Sequence, residues 1–384
     1  MEKCSLTPAS AKLAFSLLLP FALAQHCRNA FDWPFSAKSI WNSPLGSDAQ
    51  FVPAEIFTTE KPPPNYFRHD AVYILSTQAT DPIVPWYNQG HWGKPDSPEA
   101  YCNLTGPVID HVHFPSSLNF TNFGGNNFAA LVKPDGRSVF YPHPLYVCEP
   151  GGPLLSMLAD DNGPGEQAAD LYLDNGTLGC IFGSGLNPMA PSLRRGQLLP
   201  GAPPISHALC LEFFAFDYYW KPQNASHTDC FKWPAVQCDH HERSCDPLVP
   251  GTNPLSCYNG SNPLFRPGAL LALPPQALPA LNASLATAPA RRLLEALAHY
   301  GAYVCANSAG AVNFLTEWGV AEEFEAAYGF PFDVRWTPNS TSPWAADILL
   351  LLQALHIVAN NGPDSVGGGG LPTMPPPPPL CPPP

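Results

Sequence analysis

The chain has 384 residues, of which 45% are hydrophobic and only 13% are charged, enough for one large or two ordinary globular domains. Its formal net charge is −13 and no stretch clusters lysine and arginine, which excludes a basic nucleic-acid-binding footprint and disfavours an acidic membrane surface as partner. Proline accounts for 49 residues, which argues against a mainly helical protein. The composition therefore predicts a mainly β fold, a sandwich or jelly-roll-like body with one or two helices packed near the C-terminus.

The first 24 residues have the pattern of a secretory signal peptide. Lysines precede an apolar run over 13–23, and the small residues that follow predict cleavage near Ala24-Gln25. An N-terminal membrane anchor is the alternative, but the run is short and Pro20 interrupts it. We therefore expect a secreted protein, extracellular or in the cell wall, with no membrane span after cleavage.

Sequons and cysteines agree with secretion. Seven Asn-x-Ser/Thr sequons predict N-glycosylation, at Asn103, Asn119, Asn175, Asn224, Asn259, Asn282 and Asn339. Of the 12 cysteines, all but Cys4 follow the predicted cleavage site, and they are expected to form disulfides in an oxidising compartment. Their number is odd, and Cys381 in the tail is the candidate to be left over.

The mature chain is expected to form a single domain over 25–366, followed by a low-complexity Gly/Pro-rich tail over 367–384 that is flexible and then polyproline II. A cysteine-rich loop spans 230–257, with acidic residues and histidines at 239–242. Both a zinc site and a disulfide-pinned loop suit this composition. The loop lacks paired C-x2-C spacing, which favours disulfides in a secreted protein.

Alternation of apolar and polar residues predicts the strands, and helical periodicity predicts two helices. Strands are expected over 71–76, 108–115, 205–213, 213–220, 265–273 and 302–305, and a Pro-Asp-Gly turn joins 128–132 to 138–141 as a hairpin. The first helix is expected over 289–300, with Thr287 as its cap and Gly301 at its end. The second is expected over 343–358, capped by Ser342.

Candidate substrate-binding residues occur in the first half of the chain. Trp92 lies in a loop rich in aromatic residues, which either lines a sugar-binding surface or packs as an ordinary loop. His111 and His113 share one face of a predicted strand. They form either a pair of ligands or two half-exposed histidines, and no third protein ligand indicates a metal site. Asn127, beside a glycine-rich turn, is expected to orient substrate.

The strongest strand pattern contains the candidate catalytic histidine. His207 shares the apolar face of the strand over 205–213, and Arg194 and Arg195 lie at the turn before it. In a hydrolase or lyase, His207 would act as general acid or base, and one of the arginines would hold a sugar carboxylate or a developing anion. The alternatives are a hydrogen-bonded core histidine and a surface turn.

A third candidate is a serine nucleophile. The segment 306–310 matches the A-x-S-x-G form of the nucleophile elbow, which exposes Ser308. An acid at Asp333 or Asp347 and the base His356 follow in the order of α/β-hydrolases. The region before Ser308 lacks the alternating strands and helices that such an elbow requires.

Taken together, several segments resemble a family of secreted proteins from bacteria, algae and other microbial eukaryotes, to which no activity is assigned. The segments are IWNSP at 40–44, PDGR at 134–137, RGQLL at 195–199, ISHAL at 205–209, KWPA at 232–235, YGAYV at 300–304 and LHIVANNGP at 355–363. The resemblance implies one integrated secreted domain. Where the family tends to have aspartates, this chain has Cys305, Ala306 and Asn307 after YGAYV, and Ala359. If those acids are catalytic, the activity of this member is impaired.

The sequence therefore predicts a secreted glycoprotein that binds or acts on extracellular or cell-wall polysaccharide, with hydrolase or lyase chemistry possible. A non-catalytic component of the extracellular matrix or cell wall is the first alternative, and a serine hydrolase using Ser308 is the second. No cofactor, metal or nucleic acid is expected.

Overall fold

The computed structural model describes residues 27–88, 102, 106–118, 127–156, 168–173, 175–181, 183–221, 229–238, 258–308, 310–336 and 341–383. The predicted signal peptide, the loop with Trp92 and most of the cysteine-rich loop after Cys238 lie outside these ranges. Strand outweighs helix, 27% against 17%, so the protein is mainly β, as predicted. The helices lie mostly in the C-terminal half.

Fifteen of the 16 strands in the described residues form two sheets, and the remaining one, Leu178–Ile181, makes only isolated bridges to Leu186. In chain order they are β1 (Phe51–Pro53), β2 (Tyr66–Ser76), β3 (Ile83–Asn88), β4 (Val108–His113), β5 (Phe128–Val132), β6 (Ser138–Phe140), β7 (Tyr146–Val147), β8 (Leu154–Ser156), β9 (Ala168–Asp170), β10 (Leu178–Ile181), β11 (Leu209–Phe213), β12 (Leu270–Ala272), β13 (Ala302–Asn307), β14 (Val312–Glu317), β15 (Val334–Arg335) and β16 (His356–Val358). An 11-stranded sheet has the order β1-β16-β12-β13-β11-β14-β2-β5-β6-β9, with β15 paired to β2, and a four-stranded sheet has the order β4-β3-β8-β7.

Parallel pairs occupy the middle of the large sheet. β11 runs parallel to β13, and β2 runs parallel to both β14 and β5. All five residues of β11 and all five of β5 are buried. Strands buried on both faces belong at the centre of a covered sheet, so both faces of this sheet must be covered.

Helices cover one face of the large sheet. They are α1 (Ala215–Tyr218), α2 (Leu278–Ser284), α3 (Ala288–His299), α4 (Val320–Tyr328) and α5 (Pro343–Gln353). Leu211 of β11 and Val304 of β13 share one core cluster with Leu293 of α3 and Ile348 of α5. No helix within the described ranges combines the length and hydrophobicity needed to cross a membrane.

α3 forms where the sequence predicts it. Thr287 is its N-cap residue in extended conformation, and Pro289 occupies the first turn, where its missing N–H costs nothing. Leu293, Leu294 and other apolar residues bury one face against the sheet. The helix ends before Gly301, whose φ of 73° suits a residue without a side chain.

The four-stranded sheet covers the far end of the same face. Tyr73 of β2 and Leu131 of β5 pack against Val84 and Trp86 of β3 and against Leu154 of β8. Two sheets thus lie face to face there, which makes this part of the body sandwich-like, as predicted.

The opposite face of the large sheet is covered by irregular chain. Trp41 packs edge-on against Tyr303 of β13, with ring centroids 5.3 Å apart, and donates from Nε1 to the Gly176 carbonyl at 2.5 Å. Leu186 and Met189 of the loop before β11 join the same cluster. Extended, proline-containing segments therefore cover this face of the sheet, a position that a second layer of helices occupies in other folds.

Four disulfides link described cysteines, Cys27–Cys381, Cys102–Cys148, Cys210–Cys305 and Cys230–Cys238. The expectation that Cys381 is the odd cysteine is wrong, because it pairs with Cys27. The Cys230–Cys238 bond pins the start of the cysteine-rich loop, as the disulfide interpretation requires. Cys245 and Cys257 lie outside the described residues.

The tail is packed rather than flexible. Arg28 donates from Nε to the Pro378 carbonyl at 2.8 Å, and its backbone N–H donates to Pro379 at 2.9 Å. The Cys381 N–H in turn donates to the Arg28 carbonyl at 2.9 Å. The tail therefore belongs to the folded body, which the Gly/Pro composition alone did not indicate.

Two predicted elements differ from the observed ones. The segment 213–220, expected as an edge strand, contains α1: Phe214 is still extended, the helix begins at Ala215, and the Tyr219 N–H closes a helical turn onto the Ala215 carbonyl at 2.9 Å. The second predicted helix ends at Gln353 instead of 358, since residues 356–358 pair with β12 and β1 as β16. Its cap is as predicted, with Ser342 Oγ accepting from the Ala345 N–H at 3.3 Å.

Candidate functional site

His111 and His113 line one cleft. They lie on the same face of β4, two residues apart, beside an opening of about 180 Å³. The remaining lining residues come from the end of β2 and from the β5–β6 hairpin, and they are Thr77, Val112, Leu131, Lys133, Pro134 and Phe140. The structure thus brings the two predicted substrate-binding histidines together and adds a lysine to them.

Local contacts orient the polar groups of this cleft. His113 Nδ1 lies 2.9 Å from the Asp81 carbonyl oxygen, so this nitrogen carries a proton and Nε2 faces outward from that bond. Lys133 Nζ lies 3.9 Å from the centroid of the Phe140 ring, a cation–π contact. Thr77 donates from Oγ1 to the Val132 carbonyl at 3.0 Å. Two imidazoles and an ammonium therefore surround one small opening, which suits an anionic ligand.

Sequence reasoning missed Lys133 because it belongs to the predicted hairpin turn. The hairpin is confirmed, with Leu131 opposite Phe140 and Val132 opposite Val139. The signal was available, since a lysine directly before a tight turn projects at the end of its strand. What the sequence lacks is the pairing that places β4 beside this turn.

Among the described residues, no group of three or more histidine, cysteine, aspartate and glutamate side chains is arranged to hold a metal ion. His111 and His113 have Lys133, a cation, as their charged neighbour in the cleft. A positively charged neighbour suits an anion and opposes a metal ion.

Asn127 lies apart from the cleft residues. It precedes β5 with a φ of 49°, is buried, and accepts the Leu145 N–H at 2.9 Å through its carbonyl. Its side-chain Nδ2 is buried and has no hydrogen-bond partner among the described residues. Its predicted role in orienting substrate stays a prediction, as does that of Trp92, which lies outside the described residues.

His207 is buried just before β11 and both of its ring nitrogens are bonded. Nδ1 lies 3.1 Å from the Ala208 carbonyl oxygen, and Nε2 lies 2.9 Å from Nε2 of Gln197. Burial lowers the pKa of His207 to about 4; the Ala208 carbonyl opposes this shift and the charge of Arg194 adds to it. At neutral pH the ring is uncharged and held inside the fold. Its catalytic role stays a prediction.

The two predicted arginines, Arg194 and Arg195, differ in burial and in their contacts. Arg194 is buried and donates from Nε to Glu317 Oε2 at 2.8 Å and from Nη1 to the Phe31 carbonyl at 2.7 Å. Arg195 shares the same carboxylate only through its backbone N–H, at 3.1 Å. Its side chain is 63% exposed, and its Nε lies 3.8 Å from Glu323 Oε2. Only Arg195 offers its guanidinium to a ligand.

Ser308 does not occupy a nucleophile elbow. It follows β13, and the chain then enters β14, whereas an elbow leads into a helix. Its hydroxyl donates to the Ala311 carbonyl within the connecting turn. The local structure is a strand, a turn and a strand.

The proposed partners of Ser308 lie elsewhere. His356 lies on β16 and pairs with Ala272 of β12, which is level with the start of β13. Ser308 lies beyond the other end of β13. At 3.3 Å per residue, Ser308 and His356 are about 20 Å apart. Asp347 accepts the N–H groups of Ala286 and Thr287 at 3.0 and 2.7 Å. The structure therefore does not assemble this triad.

Asp333, the other proposed acid, forms a pair that the sequence did not indicate. His69 Nδ1 lies 2.7 Å from Asp333 Oδ1, which also accepts the His69 backbone N–H at 3.0 Å. The side chains are 28% and 43% exposed. His69 Nε2 has no hydrogen-bond partner among the described residues, so the ring presents this nitrogen outward.

Several charges act on His69. Burial lowers its pKa, but the hydrogen bond and charge of Asp333, together with the charges of Glu322 and Asp70, outweigh burial and raise the pKa above its ordinary value. Glu322 also acts on Tyr73, whose pKa burial and this charge raise to about 12. Glu322 on α4 therefore lies near both side chains.

An exposed tryptophan completes this surface. Trp318 follows β14 and stacks on Tyr73, with ring centroids 4.8 Å apart and an interplanar angle of 24°. Arg195 lies next to the residue after Trp318, since a Cβ placed on Gly319 would lie 3.5 Å from the Arg195 Nε. We call the group Trp318, Tyr73, Arg195, His69 and Glu322 the Trp318 patch.

Comparisons with known proteins do not assign this chain to a family. No protein-family model, no curated protein and no solved structure matches the chain. The resemblance to secreted microbial proteins stays a prediction, and the function has to be argued from the chemistry of these sites.

Proposed function

We propose that this chain is a secreted glycoprotein that binds an acidic extracellular or cell-wall polysaccharide. The observation that carries the proposal is the convergence of His111, His113 and Lys133 on one open cleft. The Lys133 ammonium donates a charge-assisted hydrogen bond to a carboxylate, and the ring N–H groups of His111 and His113 donate further hydrogen bonds to it. Pro134 and Phe140 give the cleft apolar walls for a sugar ring.

The net charge of −13 opposes an anionic partner at long range. At physiological salt, however, the Debye length is about 8 Å, so distant carboxylates are largely screened while groups that touch the ligand are not. Local complementarity therefore decides binding, and the charged side chain that lines the cleft is the ammonium of Lys133. Affinity for an acidic glycan should accordingly be modest and should fall as salt is raised.

Secretion is supported by the covalent structure. Four disulfides are typical of a protein from an oxidising compartment. Three of the seven sequons lie in described residues, and their asparagines, Asn175, Asn259 and Asn282, are all exposed. Exposure is the condition that a glycosylated asparagine must meet.

Binding is supported better than cleavage. His207 would have to break bonds to Gln197 and Ala208 before it could transfer a proton to substrate. Arg194 is buried in an ion pair with Glu317. The contacts of both residues support structural roles, which leaves a non-catalytic binder as the simplest reading of these groups.

The test is calorimetric titration of the secreted protein with oligogalacturonate, an acidic glycan, and with its methyl-esterified, uncharged form. The acidic glycan should bind, and the esterified form should bind at least about tenfold more weakly, which corresponds to about 1.4 kcal/mol. His111→Ala and Lys133→Ala should each weaken binding several-fold. Lys38→Ala, which removes an exposed lysine elsewhere, is the matched control. Equal affinity for both glycans, or none for either, would overturn the proposal.

A further inference from the structure

The Trp318 patch has the chemistry of a second glycan subsite. We infer that Trp318 stacks on a sugar ring and that Arg195 binds the carboxylate of a uronic acid there. The inference deepens the proposed function and rests on it. It concerns a surface that is made of different residues from the His111–His113 cleft and lies on a neighbouring part of β2.

Trp318 is held in place before any ligand arrives. One side of its ring stacks on Tyr73, and its backbone N–H donates to the Val72 carbonyl at 2.8 Å. The side chain nevertheless remains 44% exposed, so the ring keeps an open side. A rigid, exposed aromatic ring costs little conformational entropy on binding, which is why such rings make good stacking surfaces.

The surrounding fold explains this position. On the face of β2 and β14 that carries the helices, Phe67 lies opposite Val312, His69 opposite Phe314, and Ala71 opposite Thr316. Continuing this register brings Trp318 beside Tyr73. The helices cover the Phe67 end of this row, and the four-stranded sheet packs on Tyr73. Trp318 thus lies at the end of these paired residues that the helices do not cover.

Arg195 supplies the charge that a uronic acid needs. Its backbone is fixed by the bond to Glu317 at 3.1 Å and by the Gly196 N–H, which donates to Glu323 Oε1 at 2.6 Å. Its guanidinium makes no hydrogen bond within the part of the chain that the structure describes, and its nearest carboxylate oxygen is 3.8 Å away. A planar guanidinium with open donors binds a carboxylate in a bidentate manner.

His69 and Glu322 provide groups for sugar hydroxyls. His69 Nε2 faces outward from the bond to Asp333, and Glu322 is exposed on α4. His69 lies four residues before Tyr73 on β2, about 13 Å along the strand, so this imidazole and Glu322 face a neighbouring sugar residue rather than the one stacked on Trp318. Imidazole and carboxylate groups are usual partners of sugar hydroxyls. Glu322 also opposes a ligand with a high charge density, which favours one uronic acid over a sulfated or phosphorylated group.

The two binding surfaces lie on neighbouring parts of one strand. Tyr73 supports Trp318, and Thr77, four residues further along, lines the cleft. Four residues of strand span about 13 Å. An oligosaccharide of a few residues covers such a distance, so longer chains should gain affinity by engaging both surfaces.

The test uses the same calorimetric titration with oligogalacturonate and a second set of variants. Trp318→Ala should weaken binding about tenfold, whereas Trp318→Phe, which keeps an aromatic ring, should lose much less. Arg195→Gln should weaken binding of the acidic glycan several-fold and leave the weak binding of its methyl ester unchanged. Arg68→Gln, an exposed arginine on the opposite face of β2, is the matched control.

The outcomes separate the two proposals. If the unmodified protein binds and the cleft variants weaken binding while Trp318→Ala and Arg195→Gln do not, the subsite is wrong and the proposed function stands. If the unmodified protein binds no acidic glycan, both proposals fall. Circular dichroism and a thermal midpoint equal to that of the unmodified protein establish that Trp318→Ala is folded.

Discussion

Gln197 fixes the tautomer of His207. Its side-chain nitrogen lies 2.9 Å from His207 Nε2 while Nδ1 faces the Ala208 carbonyl at 3.1 Å, so the ring donates through Nδ1 and accepts through Nε2. The Gln197 Oε1 in turn accepts the Arg194 N–H at 2.8 Å. One amide therefore ties the arginine turn to the residue that leads into β11.

Acid should destabilise the protein through His207. Its folded pKa of about 4 lies below the value of 6.5 in the unfolded chain, so between these limits the unfolded state binds more protons. The free energy of unfolding should therefore fall as the pH drops from 6.5 to 4, by up to about 3 kcal/mol from this group. Urea unfolding of the unmodified protein and of His207→Gln across this window measures the effect. An unchanged pH slope in the variant would contradict it.

The His69–Asp333 pair should have the opposite pH dependence, with its contribution to the free energy of unfolding falling as the pH rises. Because the folded pKa of His69 is raised, its contribution is complete below the unfolded value of 6.5 and is lost as the pH rises through the folded pKa. Asp333→Asn should lower stability at pH 5 by about 0.5–1 kcal/mol, a small amount because Asp333 is 43% exposed, and by less at pH 9. A carbon-13 or nitrogen-15 titration of the His69 ring should show its pKa falling in the variant. A pKa that does not move would contradict the prediction.

Adjacent arginines should give unequal losses of stability. Arg194→Ala removes one partner of a buried ion pair and leaves Glu317 uncompensated, which should cost about 3 kcal/mol. Arg195→Ala removes an exposed side chain and should cost no more than about 0.5 kcal/mol. Chemical unfolding of the two variants side by side is the measurement. Equal losses would mean that the exposure difference between these residues has no energetic consequence.

The C-terminal tail should contribute to stability. Cys381→Ser opens the bond to Cys27, which closes a loop with a sequence separation of 354, and should cost about 2–5 kcal/mol. Removal of residues 371–384 should cost at least as much, because the Arg28 bonds to the tail are also lost. Thermal unfolding before and after mild reduction provides a matched comparison. A truncated protein as stable as the full chain would show that the tail is merely appended.

Glycosylation should be detectable at the exposed sequons. Asn175, Asn259 and Asn282 lie in ordered, accessible chain, so the secreted protein should lose mass on treatment with an N-glycosidase. Each Asn→Gln replacement should remove one glycan and leave the thermal midpoint within a degree or two. Peptide mass spectrometry identifies the occupied sites, and an unmodified secreted protein would refute the prediction.

The local pattern of apolar, proline and glycine residues predicted several helices and strands correctly. The helix over 289–300 begins at Ala288 and ends at His299, and the hairpin over 128–141 has the expected turn. The strand before Phe213 is real, but it begins at Leu209, because the chain at 205–207 serves as a buried connection rather than a paired strand. Missed elements such as α4 lack a strong apolar stripe, since only Val320 and Phe324 are buried.

The contacts that the sequence could not predict are those between residues far apart in the chain. Asp333 reaches His69 across a sequence separation of 264, and Arg194 reaches Glu317 across 123. Neither partner carries a local signal. The alternation around His207 correctly predicted that its face is buried, and burial is also what gives this histidine its structural contacts. The spacing of His111 and His113 on one strand is local and can be read from the sequence, but their role in binding stays a prediction. The positions of Lys133 and Trp318 depend on which strands become neighbours.

The Cys27–Cys381 bond closes residues 27–381 into a covalent ring. A protease that cuts once anywhere between these cysteines yields two segments that remain joined, so the nick leaves the apparent mass unchanged until the sample is reduced. A chain closed in this way can be cut once without coming apart.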